Sequence, residues 1–168
     1  MNPVENVILG ETGSSEVQIL EFCVGDSRYG IELPLVREML QYRPVQPMPH
    51  TQSYVEGVIC PRNELLTVIG LAAYLNHSSW EEHEQDIFIV AQVNERKIAF
   101  HVQRVIGVHQ VPLAAIEKLD AAVFGGGAGL VTGIAKMNDS LITILDFGKI
   151  ISDVDPHSGL QEDASAVQ

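Results

Sequence analysis

The stretch Tyr54–Leu75, YVEGVICPRNELLTVIGLAAYL, reads as a strand, a tight polar turn at Pro61-Arg62-Asn63-Glu64, a second strand and a short helical finish. The same outline returns 76 residues on, without a gap, as Leu130–Ile151, LVTGIAKMNDSLITILDFGKII. Val55 matches Val131, Gly57 matches Gly133, Leu65 matches Leu141 and Thr67 matches Thr143. These four identities exceed the roughly one that composition alone gives. The apolar outline is the stronger sign, because positions 58, 59, 65, 66, 68, 69, 71, 74 and 75 are apolar in both copies. A repeat of this kind predicts a two-copy architecture.

Outward from the first copy, Val17–Val24 and Arg28–Leu33 alternate around Gly25-Asp26-Ser27 and predict a hairpin. Leu35–Leu40 is open between a helical turn and a short strand. Arg43–Pro49 holds three prolines, which forbid a helix and favour an extended edge or loop. Asn76–Gln85, NHSSWEEHEQ, reads as a polar, solvated linker between the halves. The second half opens on another hairpin, Asp86–Val93 and Lys97–Val102, and Tyr29–Leu40 aligns with Ile98–His109 at an offset of 69. Val105–Val111 predicts a strand, Pro112–Leu119 a short helix opened by proline, and Phe124–Gly129 a flexible loop. Residues 1–15 read as a mobile lead-in and 153–168 as a disordered acidic tail. Short strands with frequent glycine, asparagine and aspartate turns indicate an all-β fold of two five-stranded barrels around a shared core, at about 16–75 and 86–152. Each half would be marginal alone, so the halves are expected to bury apolar surface against each other.

Composition narrows the function. The 168 residues are 46% hydrophobic, as in a globular chain. A net charge of −12 argues against nucleic acid and against adsorption to an anionic membrane. The opening residues show no basic region followed by an apolar core, so we expect no signal peptide, no direct membrane insertion and a cytoplasmic protein. Cys23 and Cys60 lie in apolar runs and read as buried free thiols.

Chemical motifs are sparse. Gly125-Gly126-Gly127-Ala128-Gly129 lacks the lysine and hydroxyl residue of a phosphate loop. His77, Glu81 and His83 could in principle ligate a metal, but their spacing matches no established zinc pattern. His101 and His109 sit among apolar residues and read as packed or surface histidines. We expect no enzyme, no cofactor and no metal. Gly57 and Gly133 recur inside strands, where glycine marks a bulge or a close backbone approach. Arg62, on a turn tip, reads equally as a solvated residue or as an interface anchor.

The order of these segments resembles one family. Val24–Glu32 (VGDSRYGIE) is similar to its opening hairpin, Val36-Arg37-Glu38 to its V-x-E segment, and Tyr54–Ile59 followed by Arg62 to its φ-x-G-V-I-N-L-R-G signature. With Asp86–Val111 and Val131–Ile151, the chain resembles CheW-type coupling proteins of bacterial chemosensory arrays over roughly residues 16–152. The resemblance implies two SH3-like barrels and a non-catalytic adaptor. Its partners would be the regulatory domain of a CheA-type histidine kinase, the cytoplasmic signalling tip of a chemoreceptor, and other CheW-like domains. It places Gly57 and Arg62 in the region supporting kinase contact. Leu33, Val36, Glu38, Ile87, Ala99, Val105 and Val108 would lie on or near a receptor groove. For Ile87 and Val105 plain core packing is an equal reading, and Arg62 could instead pair with Glu38 as a structural element.

This chain departs from the pattern at Cys60-Pro61-Arg62-Asn63, where the family has Asn-Leu-Arg-Gly. It also has Gly70 where the family has aspartate, although Asp146 keeps that residue in the second copy. We read a divergent member. Alternatives are a self-associating scaffold of a non-flagellar chemosensory pathway, with pili, surface attachment or a cyclic dinucleotide as output, and a small metal-binding sensor.

Overall fold

A computed structural model describes residues 15–154 apart from positions 79 and 82; the expected lead-in and the expected tail beyond 154 lie outside these described residues. β1 (Glu16–Val24) and β2 (Ser27–Glu32) form the first hairpin, and a 3-10 turn at Leu33–Leu35 leads into β3 (Val36–Gln41). The repeat's first copy is β4 (Val55–Ile59), a 3-10 turn at Pro61–Asn63, β5 (Leu66–Gly70) and α1 (Leu71–Tyr74). β6 (Ile87–Val93), β7 (Arg96–Val102), β8 (Arg104–Pro112), a 3-10 turn at Leu113–Ala115 and β9 (Ile116–Glu117) follow. α2 (Ala121–Phe124) and a 3-10 segment at Gly125–Leu130 precede the second copy, β10 (Val131–Met137), β11 (Ser140–Leu145) and α3 (Phe147–Val154). The fold is all-β with short helices.

The strands form two sheets, ordered β8-β1-β2-β11-β10-β9 and β3-β6-β7-β5-β4, which make barrels I and II. This corrects the expected division at 16–75 and 86–152. Barrel II runs continuously from β3 to β7, inserted between the β2 and β8 strands of barrel I. The repeat is nevertheless real: each repeated unit gives its hairpin to one barrel and its later strands to the other. The chain is redirected after each hairpin, at the Leu33–Leu35 turn in the first unit and at Gln103, between β7 and β8, in the second. Pro34, within the Leu33–Leu35 turn, breaks the strand and redirects the chain, so β3 pairs with β6 instead of returning beside β2.

The pairing registers superpose copy on copy. Val55 faces Ile69 and Gly57 faces Val68, while Val131 faces Leu145 and Gly133 faces Ile144, with a bulge at the same place in each. The parallel contacts agree too, Thr67 with Ile98 and Thr143 with Tyr29. Both glycines sit where a barrel closes. Gln46, downstream of β3, exchanges backbone hydrogen bonds of 2.9 Å with Val58, and β9 pairs with Ile134 and Ala135 in the same way. A Cβ on Gly57 would lie 1.9 Å from the Gln46 carbonyl oxygen, and one on Gly133 would lie 2.5 Å from Ile116 Cγ2. The recurring glycine therefore reflects both a bulge and a closing strand too near for any side chain.

The shared core joins the barrels. Phe147, which opens α3 after barrel I, packs edge-on against Phe100 of barrel II at 4.9 Å and against Phe22 of barrel I at 6.3 Å. Phe22, Phe100, Ile31, Ile69, Leu71 and Ile150 are all buried with it. Tyr74 of α1 donates a hydrogen bond to Asp153 of α3 at 2.8 Å, a second tie across the junction.

Several local expectations are corrected. Cys23 and Cys60 are both free, but Cys60 is exposed because Pro61 ends its strand at the turn. Pro112 closes β8 and opens only a 3-10 turn at Leu113–Ala115, short of the helix expected to Leu119, and Phe124–Gly129 falls in α2 and a 3-10 segment. Asp153 and Val154 complete α3, where Val154 is buried. The polar stretch 76–85 is anchored at described positions: Trp80 packs on the shared core, and Tyr29 and His77 are hydrogen bonded through hydroxyl and ring.

Candidate functional site

Two edge strands carry most of the residues that sequence assigned to a groove. β3 bonds laterally to β6 and β8 to β1, and each leaves its other edge without a ladder partner among the described strands. Strand alternation does the rest: β8 turns every second residue inward, so Val105 is half-buried and Val108 exposed. Val36 of β3 corresponds to Val105 of β8, and Met39 to Val108, by the offset of 69. Met39 and Val108 are each 49% exposed. Val36 and Val105, with Leu33 and Ile87, are half-buried around the same inter-barrel core. These four are brought together as a fringe, part core and part surface.

Ala99 does not join them. It is fully buried inside barrel II with Leu40, Val68, Phe88 and Val90, so it packs the interior and has no surface to offer a partner. Gly57 is likewise buried, and its contribution is the backbone closure at Gln46.

Arg62 and Glu38 form the ion pair that sequence left open, Arg62 Nη2 to Glu38 Oε2, with the arginine side chain 63% exposed. Arg62 also adopts a left-handed backbone, φ 52° and ψ 39°, and Asn63 follows at φ 67°. That conformation suits asparagine and costs arginine about 1–2 kcal/mol. The corresponding residue of the second copy, Asn138, is also left-handed at φ 53°, but there the ladder runs on to Met137 and Ser140 and leaves a two-residue turn, so the longer 3-10 turn and the arginine's strain belong to the first copy. A groove beside this turn is lined by Arg43, Gln46, Val58, Cys60 and Leu65, with Leu65 largely exposed.

A polar cluster that sequence reading missed lies at the other end of β4. Asp86, buried just before β6, accepts through Oδ2 from Trp80 Nε1 at 2.8 Å, and pairs there with His83 Nδ1 at 2.7 Å and His101 Nε2 at 2.6 Å. The other nitrogen of His101, Nδ1, meets Glu56 Oε2 at 2.8 Å. Burial disfavours a charged His101 ring, but hydrogen bonding and charge from Glu56 and Asp86 outweigh it and raise the pKa above the ordinary histidine value. Gly70 makes room, since a Cβ there would stand 2.5 Å from Glu56 Oε2. The set His77, Glu81 and His83 is not assembled: His77 bonds Tyr29, Glu81 is exposed, and His83 faces Asp86. The signal that could have found the cluster was Gly70, standing where the second copy keeps Asp146.

In barrel I the buried carboxylate is Glu21, which accepts from Arg28 Nη1 at 3.2 Å and pairs with His109 Nε2 at 2.6 Å. His109 is thus a strand-to-strand tie between β8 and β1.

The CheW-like domain profile matches residues 18–155. A chemotaxis protein CheW of Treponema pallidum is 26% identical over 141 residues, covering 82% of this chain and 83% of that protein. The chemotaxis protein CheW of Thermotoga maritima is 26% identical over 145 residues, covering 86% and 94%. Among solved structures, the scaffolding protein TtCheW of Thermoanaerobacter tengcongensis shares the fold with a TM-score of 0.72 at 22% identity, over 81% of this chain and 88% of that one.

Proposed function

The chain belongs to the CheW-like domain family, whose members couple chemoreceptors to the kinase CheA in chemotaxis, and from that premise we propose how its surfaces divide the task. It is a non-catalytic adaptor with two docking faces. The receptor's helical signalling tip lies along the junction of the barrels, against Leu33, Val36, Glu38, Ile87, Val105 and Val108. The regulatory domain of a CheA-type kinase docks on the turn of barrel II that carries Arg62, with Gly57 holding that end of the barrel shut. Ala99 supports the groove from inside without touching the receptor.

The observation that carries this reading is the equivalence of β3 and β8. These edge strands, one from each barrel, set half-buried Val36 and Val105 against the shared core and leave Met39 and Val108 exposed at corresponding places. An amphipathic helix recognises such a surface through residues at helical spacing. On the kinase side, Arg62 is held in an unfavourable backbone conformation and remains largely exposed, which suits an interface anchor. Bivalence supplies the mechanism: one rigid body holding both partners raises the effective concentration of each near the other. Receptor-driven changes in docking then shift the populations of kinase states. No helix among the described residues is long and apolar enough to cross a membrane, and we place the protein in the cytoplasm, at receptor arrays through its partners.

A bridging assay tests the proposal. Immobilised receptor tip should retain the kinase regulatory domain only when this chain is added. Retention that does not depend on the chain, or self-association of the chain without either partner, would replace the adaptor with the scaffold reading.

A further inference from the structure

Barrel II contains a set of side chains that neither docking face uses. His83 Nδ1, Asp86 Oδ2 and His101 Nε2 all lie within 4.8 Å of one another, at the point where the segment before β6 crosses β7. We propose that these three groups form a binding site for a zinc-class divalent transition metal.

The chemistry of the set points to that ion. Two imidazoles and one carboxylate suit zinc and its neighbours, whereas calcium and magnesium take oxygen ligands. Zinc bonds of about 2.0–2.2 Å in tetrahedral geometry place ligand atoms roughly 3.3 Å apart. Asp86 Oδ2 stands 2.7 Å from His83 Nδ1 and 2.6 Å from His101 Nε2, so a separation of a few tenths of an ångström admits the ion.

The surroundings are arranged as a metal site's are. His101 directs Nδ1–H at Glu56, which fixes the ring and leaves Nε2 for the metal, the carboxylate–histidine arrangement that orients ligands from behind. Gly70 leaves the space that Glu56 occupies. A cavity of about 90 Å³, bordered by Gly70, Ala73, Trp80 and both histidines, leaves room for a water at a fourth position. Charge balances as well, because a dication offsets Asp86 and Glu56. Binding replaces the proton that His101 Nε2 shares with Asp86, and His83 carries its own proton on Nε2 instead of Nδ1. The ion would fasten the connection between α1 and β6 to the wall of barrel II. Among the described residues barrel I holds no second set of this kind, and the places of Glu56 and His101 are taken there by Thr132 and Glu32.

The test uses the full chain, stripped of metal by a chelator, dialysed and titrated with zinc chloride in a calorimeter. Emission from Trp80, the single tryptophan, is recorded in parallel. The expected result is one zinc per chain with a change in Trp80 emission. His83→Ala removes a half-exposed ligand, so the variant should fold and bind at least about tenfold more weakly. Glu56→Gln should weaken binding by about tenfold through the ring of His101. Asp86→Asn, which keeps the shape and removes the charge, should lose most affinity, and His50→Ala should change nothing. A folded wild-type chain that takes up no zinc, or undiminished binding in folded His83→Ala, would overturn the site and leave the cluster as a proton-bridged network.

Discussion

Barrels I and II are wired alike and equipped differently. Their strand orders, bulges and closing contacts correspond copy for copy, as at Gly57 and Gly133, and Arg62 and Asn138 share a left-handed backbone within turns of different length. What differs is polar. Barrel II has a strained arginine on its turn and two histidines on one buried aspartate, Asp86, where barrel I has an asparagine, a buried Glu21 that holds Arg28 and a single histidine, His109, and an aspartate, Asp146, that accepts a backbone hydrogen bond from Lys149 inside α3. Backbone geometry constrains the shared features, since a closing strand or a left-handed turn admits few residues. Surface and cluster residues are free of that constraint. The difference therefore locates the specialised chemistry in barrel II, while the junction between the barrels remains common ground.

The largest effect expected is at that junction. Phe147→Ala should destabilise the protein by about 3–5 kcal/mol, and both barrels should melt in one transition because Phe147 touches Phe22 and Phe100 alike. Urea unfolding followed by circular dichroism and by Trp80 fluorescence checks this; separate transitions would show that the barrels are independent. Next come the paired glycines. Gly57→Ala meets a backbone oxygen at 1.9 Å with φ +145°, and should cost about 3 kcal/mol. Gly133→Ala first meets a side chain that can move, and should cost about half as much. Equal losses would mean that the closing strands are equally rigid.

A smaller and more selective effect is expected at the edges. Val36→Glu and Val105→Glu put a carboxylate at equivalent half-buried places, and each should weaken receptor-tip binding by about tenfold, or about 1.4 kcal/mol. A loss for one valine alone would show that the groove belongs to a single barrel. Arg62→Ala keeps the left-handed backbone cost and removes an exposed pair, so stability should change by less than about 1 kcal/mol. Kinase binding should fall by about 2 kcal/mol if Arg62 anchors that face.

The repeat carried most of the fold into view. Gly57 and Gly133 marked the closures, and the hairpin patterns gave β1, β2, β6 and β7 almost to the residue. The exchange of hairpins between barrels was not visible, because pairing partners far apart in sequence leave no local pattern, and only the bend at Pro34 hinted at it. Leu65 and Leu141 show the limit of an apolar outline: they match in both copies and both are largely exposed. Of the candidate site, the valines of β3 and β8 were legible through resemblance, while Ala99 proved to be interior because burial depends on tertiary packing. The cluster around Asp86 was hidden for the same reason as most polar sites: Glu56, His83 and His101 come from three separate segments that only the fold brings together.

The central claim is that kinase and receptor occupy separate faces, and one pair of titrations addresses it directly. The kinase regulatory domain and the receptor tip would each be titrated calorimetrically into wild type, Arg62→Ala and Val36→Glu. The account predicts saturable one-to-one binding of both partners to wild type, loss of kinase affinity alone in Arg62→Ala, and loss of receptor affinity alone in Val36→Glu. Parallel loss of both partners in either variant, with the fold intact by circular dichroism, would contradict it.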